Sequence, residues 1–490
     1  MHFVDPEKHT RRAFLRRSGQ LAFTGAALPM ALNLAAMGEA AAFDATDYKA
    51  LVCVFMYGGN DYANTVVPYD NTSHSLYNTI RGGTAGIALA QSALTPTLLT
   101  PTLPLAGGRQ YALHPAMTGM AGLFNTGKAA VQLNVGPLVV PLTRAQYNGS
   151  NRVLYPLPPK LFSHNDQQSI WQSSSPEGST IGWGGNIGDL AVINNSNANS
   201  LFTCISVTGN TVFLSGNSAL SYQVGTGGPV NINSVTNTSV YNSAAMKNTL
   251  STLVQQSRAN ILENEYNKVT IRQITSGAGV KTAIDLFPAA NAPFNAFPTN
   301  NNLADQLKMV ARLIAGRNTL GAKRQVFFVS IGGFDLHDNL ISQQPVLMQR
   351  VSEAMTAFYN ATFALGVADK VTAFTASDFG RTLTSNGDGS DHGWGSHHFM
   401  VGGAVKGKAF YGTPPPVSVT NSTTDGNDQW HVGQGRLLPS TSVDQYAGTL
   451  AKWFGVSDTE LIGATAGQGV LPKLRNFGGA AYPRDLGFMA

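Results

Sequence analysis

The sequence predicts a three-layer α/β/α fold on a mainly parallel central sheet, with one small β-rich insertion. Three observations predict it. Four short runs are apolar almost without interruption, and continuous rather than alternating hydrophobicity marks a strand covered on both faces. Each run leads into a polar turn containing Gly or Asp. Amphipathic stretches that stop at Gly lie between some of the runs, as helices do in alternating α/β chains.

The first 42 residues read as an address rather than as part of that fold. Thr10-Arg11-Arg12-Ala13-Phe14-Leu15-Arg16 matches the bacterial twin-arginine export signal, and a weakly apolar stretch follows from Leu21 to Met37. Ala40-Ala41-Ala42 offers a small-residue cleavage site before Phe43, while Thr24, Gly25, Pro29 and Asn33 suit a cleaved signal better than a stable span. The expectation is a mature domain from residue 43 to 490, carried by the twin-arginine translocase to the periplasm or beyond. That route moves proteins already folded, often with a metal or cofactor loaded. No later segment offers 18 consecutive apolar residues, so no integral membrane span is expected after cleavage.

Lys49 to Met56 is the first buried strand and ends in Tyr57-Gly58-Gly59-Asn60-Asp61. Ala129–Val135, Gln325–Ile331 and Val371–Ala376 share its character. The stretch from Asn186 to Ser239 differs, being rich in Asn, Ser, Thr and Gly around three β-prone pieces (LFTCISV, TVFLSG, LSYQVG). It is the predicted insertion. A long helix is expected from Ala244 to about Ile271. Leu303, Leu307, Val310 and Ile314 line a second helix stopped at Gly316, and Leu347, Val351, Met355 and Phe358 a third stopped at Gly366. The last runs from about Val443 to Phe454, before Gly455.

Of 490 residues, 43% are hydrophobic but only 12% charged, about half the usual quarter. Coiled coils, acidic tails and long solvated helices are excluded, since all are charge-rich. The net charge of +5 includes five basic and three acidic residues in the leader, and the small remainder predicts no nucleic-acid partner. Two cysteines, Cys53 and Cys204, make no disulfide scaffold, and Cys53 inside a strand reads as a free core thiol.

Ten histidines make a useful tracer. His392, His397 and His398 crowd into Asp391-His392-Gly393-Trp394-Gly395-Ser396-His397-His398, and His337 sits in Gly333-Phe334-Asp335-Leu336-His337 just after a buried strand. Asp61 occupies the matching position after the first strand. Carboxylates and imidazoles on Gly-rich strand-end loops are what a divalent cation such as Zn²⁺ or Mn²⁺ needs, and two such ions about 3.5–4 Å apart clamp a phosphoryl or sulfuryl transfer. Each has a plainer reading. Asp335 would serve as a helix cap, Asp378 would pair with Arg381 in a turn, and His114 and His164 read as satisfied structural histidines. His74 and His431 have no local support. His397 and His398 cannot both face one site in an extended segment.

Phe55-Met-Tyr-Gly-Gly-Asn-Asp61 with Asn64-Thr-Val-Val-Pro68-Tyr69 resembles the first block of the bacterial family named as domain of unknown function 1501. Leu113-His-Pro, Ser163-His164, Gly333-Phe-Asp335-Leu-His337, Asp378-Phe-Gly-Arg381-Thr382, Asp391-His392-Gly393 and Gly435-Arg436-Leu-Leu-Pro439 follow in order, from about residue 10 to 475. That family is similar in fold to the alkaline phosphatase and sulfatase superfamily. The resemblance implies Asp61 as a first-strand metal ligand, Asp335 with His337 as a second group, and Asp391, His392 and His397 or His398 as a third. Asp335 and His337 are spaced by one residue where the superfamily has three. Asp378 stands where Asp-His is expected, so either Asp378 ligates and His392 reaches in from a loop, or the site is remodelled. The implied nucleophile is Ser163 before a helix from Gln167 to Gln172, unless Asp166 is the functional group there and Ser163 a plain cap. Arg381 would neutralise an oxyanion or merely hold Asp378.

The expected function is an exported metal-dependent hydrolase of phosphate or sulfate esters, with a small-molecule or glycan substrate. The competing expectation is a non-catalytic surface, matrix or carbohydrate-binding protein that keeps the fold.

Overall fold

All four apolar runs form strands. The computed structural model describes residues 43, 45–83, 86–230, 232–465 and 467–490, and the leader predicted for residues 1–42 lies outside them. The central sheet contains β1 (Lys49–Met56), β2 (Ala129–Gly136), β3 (Cys204–Ser206), β4 (Ser221–Gly225), β5 (Gly228–Pro229), β6 (Arg324–Ile331), β7 (Val371–Ser377), β8 (Ser396–Gly402), β9 (Phe410–Tyr411) and β10 (Thr441–Ser442). Their order is β9-β2-β8-β7-β1-β6-β3-β4-β5, with β10 also on β2. β1 runs parallel to β6 and β7, β3 parallel to β6 and β4, and β9 and β10 parallel to β2. β8 is antiparallel to both β2 and β7.

The main helices are α1 (Asn71–Arg81), α2 (Thr118–Asn125), α3 (His164–Ser173), α4 (Trp183–Ile193), α5 (Ala244–Gln255), α6 (Ile261–Asp285), α7 (Asn302–Ala315), α8 (Leu340–Ala364) and α9 (Val443–Phe454). Alternation along β1 sorts its side chains into two cores. Ala50, Val52, Val54 and Met56 join Leu307 and Val310 of α7 and Val351 and Met355 of α8. Leu51, Cys53 and Phe55 join Trp183 and Ile187 of α4 and Leu450 and Phe454 of α9. The sheet is therefore covered on both faces, which is why its strands read as unbroken apolar runs. Cys53 and Cys204 are free and buried, and among the described residues no helix is long and apolar enough to cross a membrane.

Three expectations change. The segment 186–239 extends the edge of the main sheet through β3 to β5, but its middle piece is a short 3-10 turn, Val212–Leu214. The helix expected from Ala244 is two, because the Asn260 side chain accepts from the backbone N–H groups of Leu262 and Glu263 and starts α6 afresh. His397 and His398 lie within the buried strand β8, not on a loop, so they face opposite sides of the sheet.

Two features fasten the turn after β1. Asp61 accepts from Arg81 Nη2 at 2.6 Å and from Ser390 Oγ at 2.6 Å, while its other oxygen caps the N–H of Asn64 at 3.0 Å. Both partners of this ion pair are buried, so removing one leaves a charge without compensation. Gly58 has φ +115°, and a Cβ there would stand 2.4 Å from the backbone nitrogen of Asp335. Glycine is required on both counts.

Asp61→Asn is expected to lower unfolding free energy by about 3–5 kcal/mol, read from denaturant titration. Gly58→Ala should cost about 1–3 kcal/mol from backbone strain alone, with further loss as the Asp335 loop is displaced. An unfolding midpoint unchanged in either variant would contradict the packing described.

Candidate functional site

The carboxyl ends of β1, β6 and β7 open at one edge of the sheet, where α/β folds place their ligands. β8 begins at that same edge because it runs the other way. Four segments therefore meet there: 57–61 after β1, 332–338 after β6, 378–381 after β7 and 390–395 before β8. The amino end of α3 adds a fifth.

Asp335 is the centre. Its Oδ1 accepts from Arg381 Nη1 at 2.6 Å and lies 3.1 Å from His337 Nε2 and 3.2 Å from His392 Nε2. Its Oδ2 lies 3.3 Å from His164 Nε2. Burial alone would push its carboxyl up, but the hydrogen bond and charge of Arg381, with His164 and His392, hold it below the ordinary carboxylate value.

Each of the three imidazoles is held by its other nitrogen. His164 Nδ1 donates to Asp378 Oδ2 at 2.6 Å, His392 Nδ1 to the Phe162 carbonyl at 2.8 Å, and His337 Nδ1 to Asp391 Oδ1 at 3.2 Å. A carbonyl and a carboxylate can only accept, so each Nδ1 carries a proton; Asp335, beside each Nε2, also only accepts, so a lone pair is free there only when a cation stands between them. Imidazole nitrogens grouped round one carboxylate could hold a divalent cation. The coordinating atoms of His164, Asp335 and His392 lie within 4.8 Å of one another. The Asp378–His164 pair raises the His164 pKa through their hydrogen bond, while burial lowers that of His392.

The surroundings fix these rings. Phe379 packs against His164 and His392 with ring centroids 4.8 and 4.6 Å apart. Gln168, one turn after His164 on α3, donates to the same Asp378 oxygen at 2.8 Å. Asp378 Oδ1 is buried without a hydrogen-bond partner. Asp335 itself remains 44% exposed, so the cluster is open to solvent on one side.

Against the sequence expectations, Asp335, His337, Asp391 and His392 come together, with Asp378 behind His164. Asp61 stands outside, committed to Arg81 and Ser390. His397 is also outside. Its Nδ1 accepts from the Asn134 N–H at 3.0 Å, its ring meets Tyr62 edge-on, and burial drives its pKa down to about 3. His398, on the other face, packs against Trp171 with ring centroids 4.6 Å apart and planes tilted at 59°. Arg381 does not pair with Asp378. It is fully buried and donates to Asp335, to the Gly58 carbonyl at 3.3 Å and to the Ser390 carbonyl, which leaves it an anchor rather than an oxyanion partner. The Ser163 hydroxyl donates to Asp166 at 3.1 Å and to no side chain of the cluster.

His164 is the residue that sequence reasoning passed over. Gln168, four residues along the helix, meets it only through the Asp378 oxygen that both share.

No curated protein matches the chain. Two solved structures are similar at 9% identity. One is a crystal structure of Ps i-CgsB in complex with k-i-k-neocarrahexaose, with a TM-score of 0.35, covering 90% of this chain and 78% of that one. The other is a 4S-sulf protein from work on the metabolism of multiple glycosaminoglycans by Bacteroides thetaiotaomicron, with a TM-score of 0.33, covering 87% and 76%. The family model described as "Protein of unknown function (DUF1501)" matches residues 48–458, and the chain belongs to that family.

Proposed function

We propose that this chain is an exported, metal-dependent hydrolase of phosphate or sulfate esters, acting on a small-molecule or glycan substrate. One observation carries the reading: three imidazole Nε2 atoms converge on Asp335, each fixed by an oxygen acceptor at Nδ1. Export rests on the twin-arginine leader in the sequence.

His164, Asp335 and His392 would hold the cation, and the donor set suits Zn²⁺ or Mn²⁺. A bound divalent ion would polarise an ester oxygen and stabilise the charge that develops on it. The chain's own groups do the rest. Arg381 keeps Asp335 ionised and still, and Asp378 sets the tautomer of His164. Phe379 screens the two rings from water on their inner side. His337 is half-exposed and oriented by Asp391, and its Nε2, 3.1 Å from Asp335, is the nitrogen that would exchange a proton with an attacking water. Among the described residues no serine or threonine hydroxyl is hydrogen-bonded to the side chains of His164, Asp335, His337 or His392, which favours water over a covalent nucleophile.

That same absence favours one second reading, a metal-stabilised binding protein without turnover. Metal analysis of the purified mature chain, followed by assays on aryl phosphates and aryl sulfates, separates the two. Bound divalent metal with turnover supports the hydrolase, bound metal without turnover supports the second reading, and folded metal-free protein overturns both. His392→Ala should abolish metal binding and turnover together. Asp378→Asn should weaken metal affinity about 10–100-fold while leaving the fold intact, because it loosens His164 without removing a ligand.

A further inference from the structure

With Arg381 buried beneath Asp335, any side-chain cation that meets an anionic ester beside the metal must come from elsewhere around the cluster. The structure assigns that role to Arg436, the substrate-positioning residue that grips the phosphate or sulfate group at the mouth of the cluster. This inference rests on the proposed function, and it identifies what reads the substrate's charge.

Arg436 is held from two sides. Its Nε donates to the backbone carbonyl of His392 at 2.8 Å, and its guanidinium lies 5.4 Å from the centroid of the Phe162 ring. Phe162 is also the residue whose carbonyl orients His392 Nδ1. One residue thus serves both parts, its carbonyl fixing an imidazole and its ring supporting the guanidinium. Phe162 achieves this at φ +72°, a left-handed conformation that is costly for an aromatic residue and that concentrates at functional sites.

The rest of the guanidinium is free. Nη1 and Nη2 have no hydrogen-bond partner among the described residues, yet neither is a buried unpartnered atom, so both face solvent. Asp391 beside it is oriented toward His337 and Asn386, and acts on Arg436 only through charge. A planar fork pinned at Nε and stacked on a ring, with both terminal amino groups open, is pre-shaped for bidentate contact with a tetrahedral oxyanion. Arg381 offers no such face. Its amino groups are already committed and its side chain is fully buried.

The test is calorimetric titration of inorganic phosphate and inorganic sulfate into the full mature chain, as purified and after loading with Zn²⁺. Arg436→Gln should weaken oxyanion binding at least tenfold with metal content unchanged, because Arg436 touches the ligand His392 only through its backbone carbonyl. Arg436→Lys should restore part of the affinity, since it returns the charge without the fork. Phe162→Leu, which keeps the carbonyl on His392 and removes the ring, should give an intermediate loss. An Arg436→Gln variant that holds metal and binds either oxyanion as tightly as the parent would overturn the assignment, as would a metal-loaded parent that binds neither. Wild-type protein that binds oxyanion through Arg436 but turns over no aryl ester would sink the hydrolase reading alone and leave this one standing.

Discussion

A fully buried guanidinium under a half-exposed carboxylate is the constraint on which this site depends. Taking Arg381 out of water costs several kcal/mol unless its donors are met, and the chain meets those of both terminal amino groups with Asp335, the Gly58 carbonyl and the Ser390 carbonyl, leaving only Nε without a partner. Each acceptor comes from a different strand end. Ser390 in turn donates to Asp61, which is paired with Arg81 at the last turn of α1. A buried relay therefore runs from α1 through two carboxylates and two arginines to the surface at Asp335. Because most of its members are charged and enclosed, the relay favours one arrangement strongly, and it fixes the carboxylate round which the three imidazoles gather.

The sheet was legible because burial on both faces leaves a composition mark that needs no partner to be seen. Lys49–Met56 and Arg324–Ile331 appear as strands on their own residues. Asp335 and His337 were legible for a similar reason: both lie a few residues past such a run, in a chain with few charges. The errors share a cause as well. Asp61 carries the same positional mark as a ligand, but its carboxylate is claimed by Arg81, twenty residues away at a helix end, and nothing local announces that pairing. His397 or His398 entered the expected ligand set through the family resemblance, five or six residues past His392. The strand β8 begins between them, at Ser396.

His164 shows the reverse case. A lone histidine at a helix start has no local pattern that separates ligand from cap, and its partners Asp378 and Asp335 come more than 170 residues later. The groups behind the cluster were harder still. Phe379 was visible only as the residue between Asp378 and Gly380, yet its ring packs against both His164 and His392, which meet edge-on at 4.4 Å. Fold likeness does not supply such roles, since many chemistries share one architecture, and the chemistry here has to be argued from the atoms that meet.

The direction of β8 reaches beyond topology. A strand antiparallel to β7 starts where β7 stops, so residues 378–395 leave the sheet and return to it at one edge. Asp378, Arg381, Asp391 and His392 thus all ride on a single excursion with both feet planted in adjacent strands. Its outer arc, 386–388, is exposed yet tied down: Asn386 donates to Asp391, and Asp388 accepts from the backbone N–H groups of Asn339 and Leu340 at the start of α8. The excursion is thus braced at its tip as well as at its feet. A change of length at the tip would reach His337 through Asp391, so the whole arc and the cluster vary together.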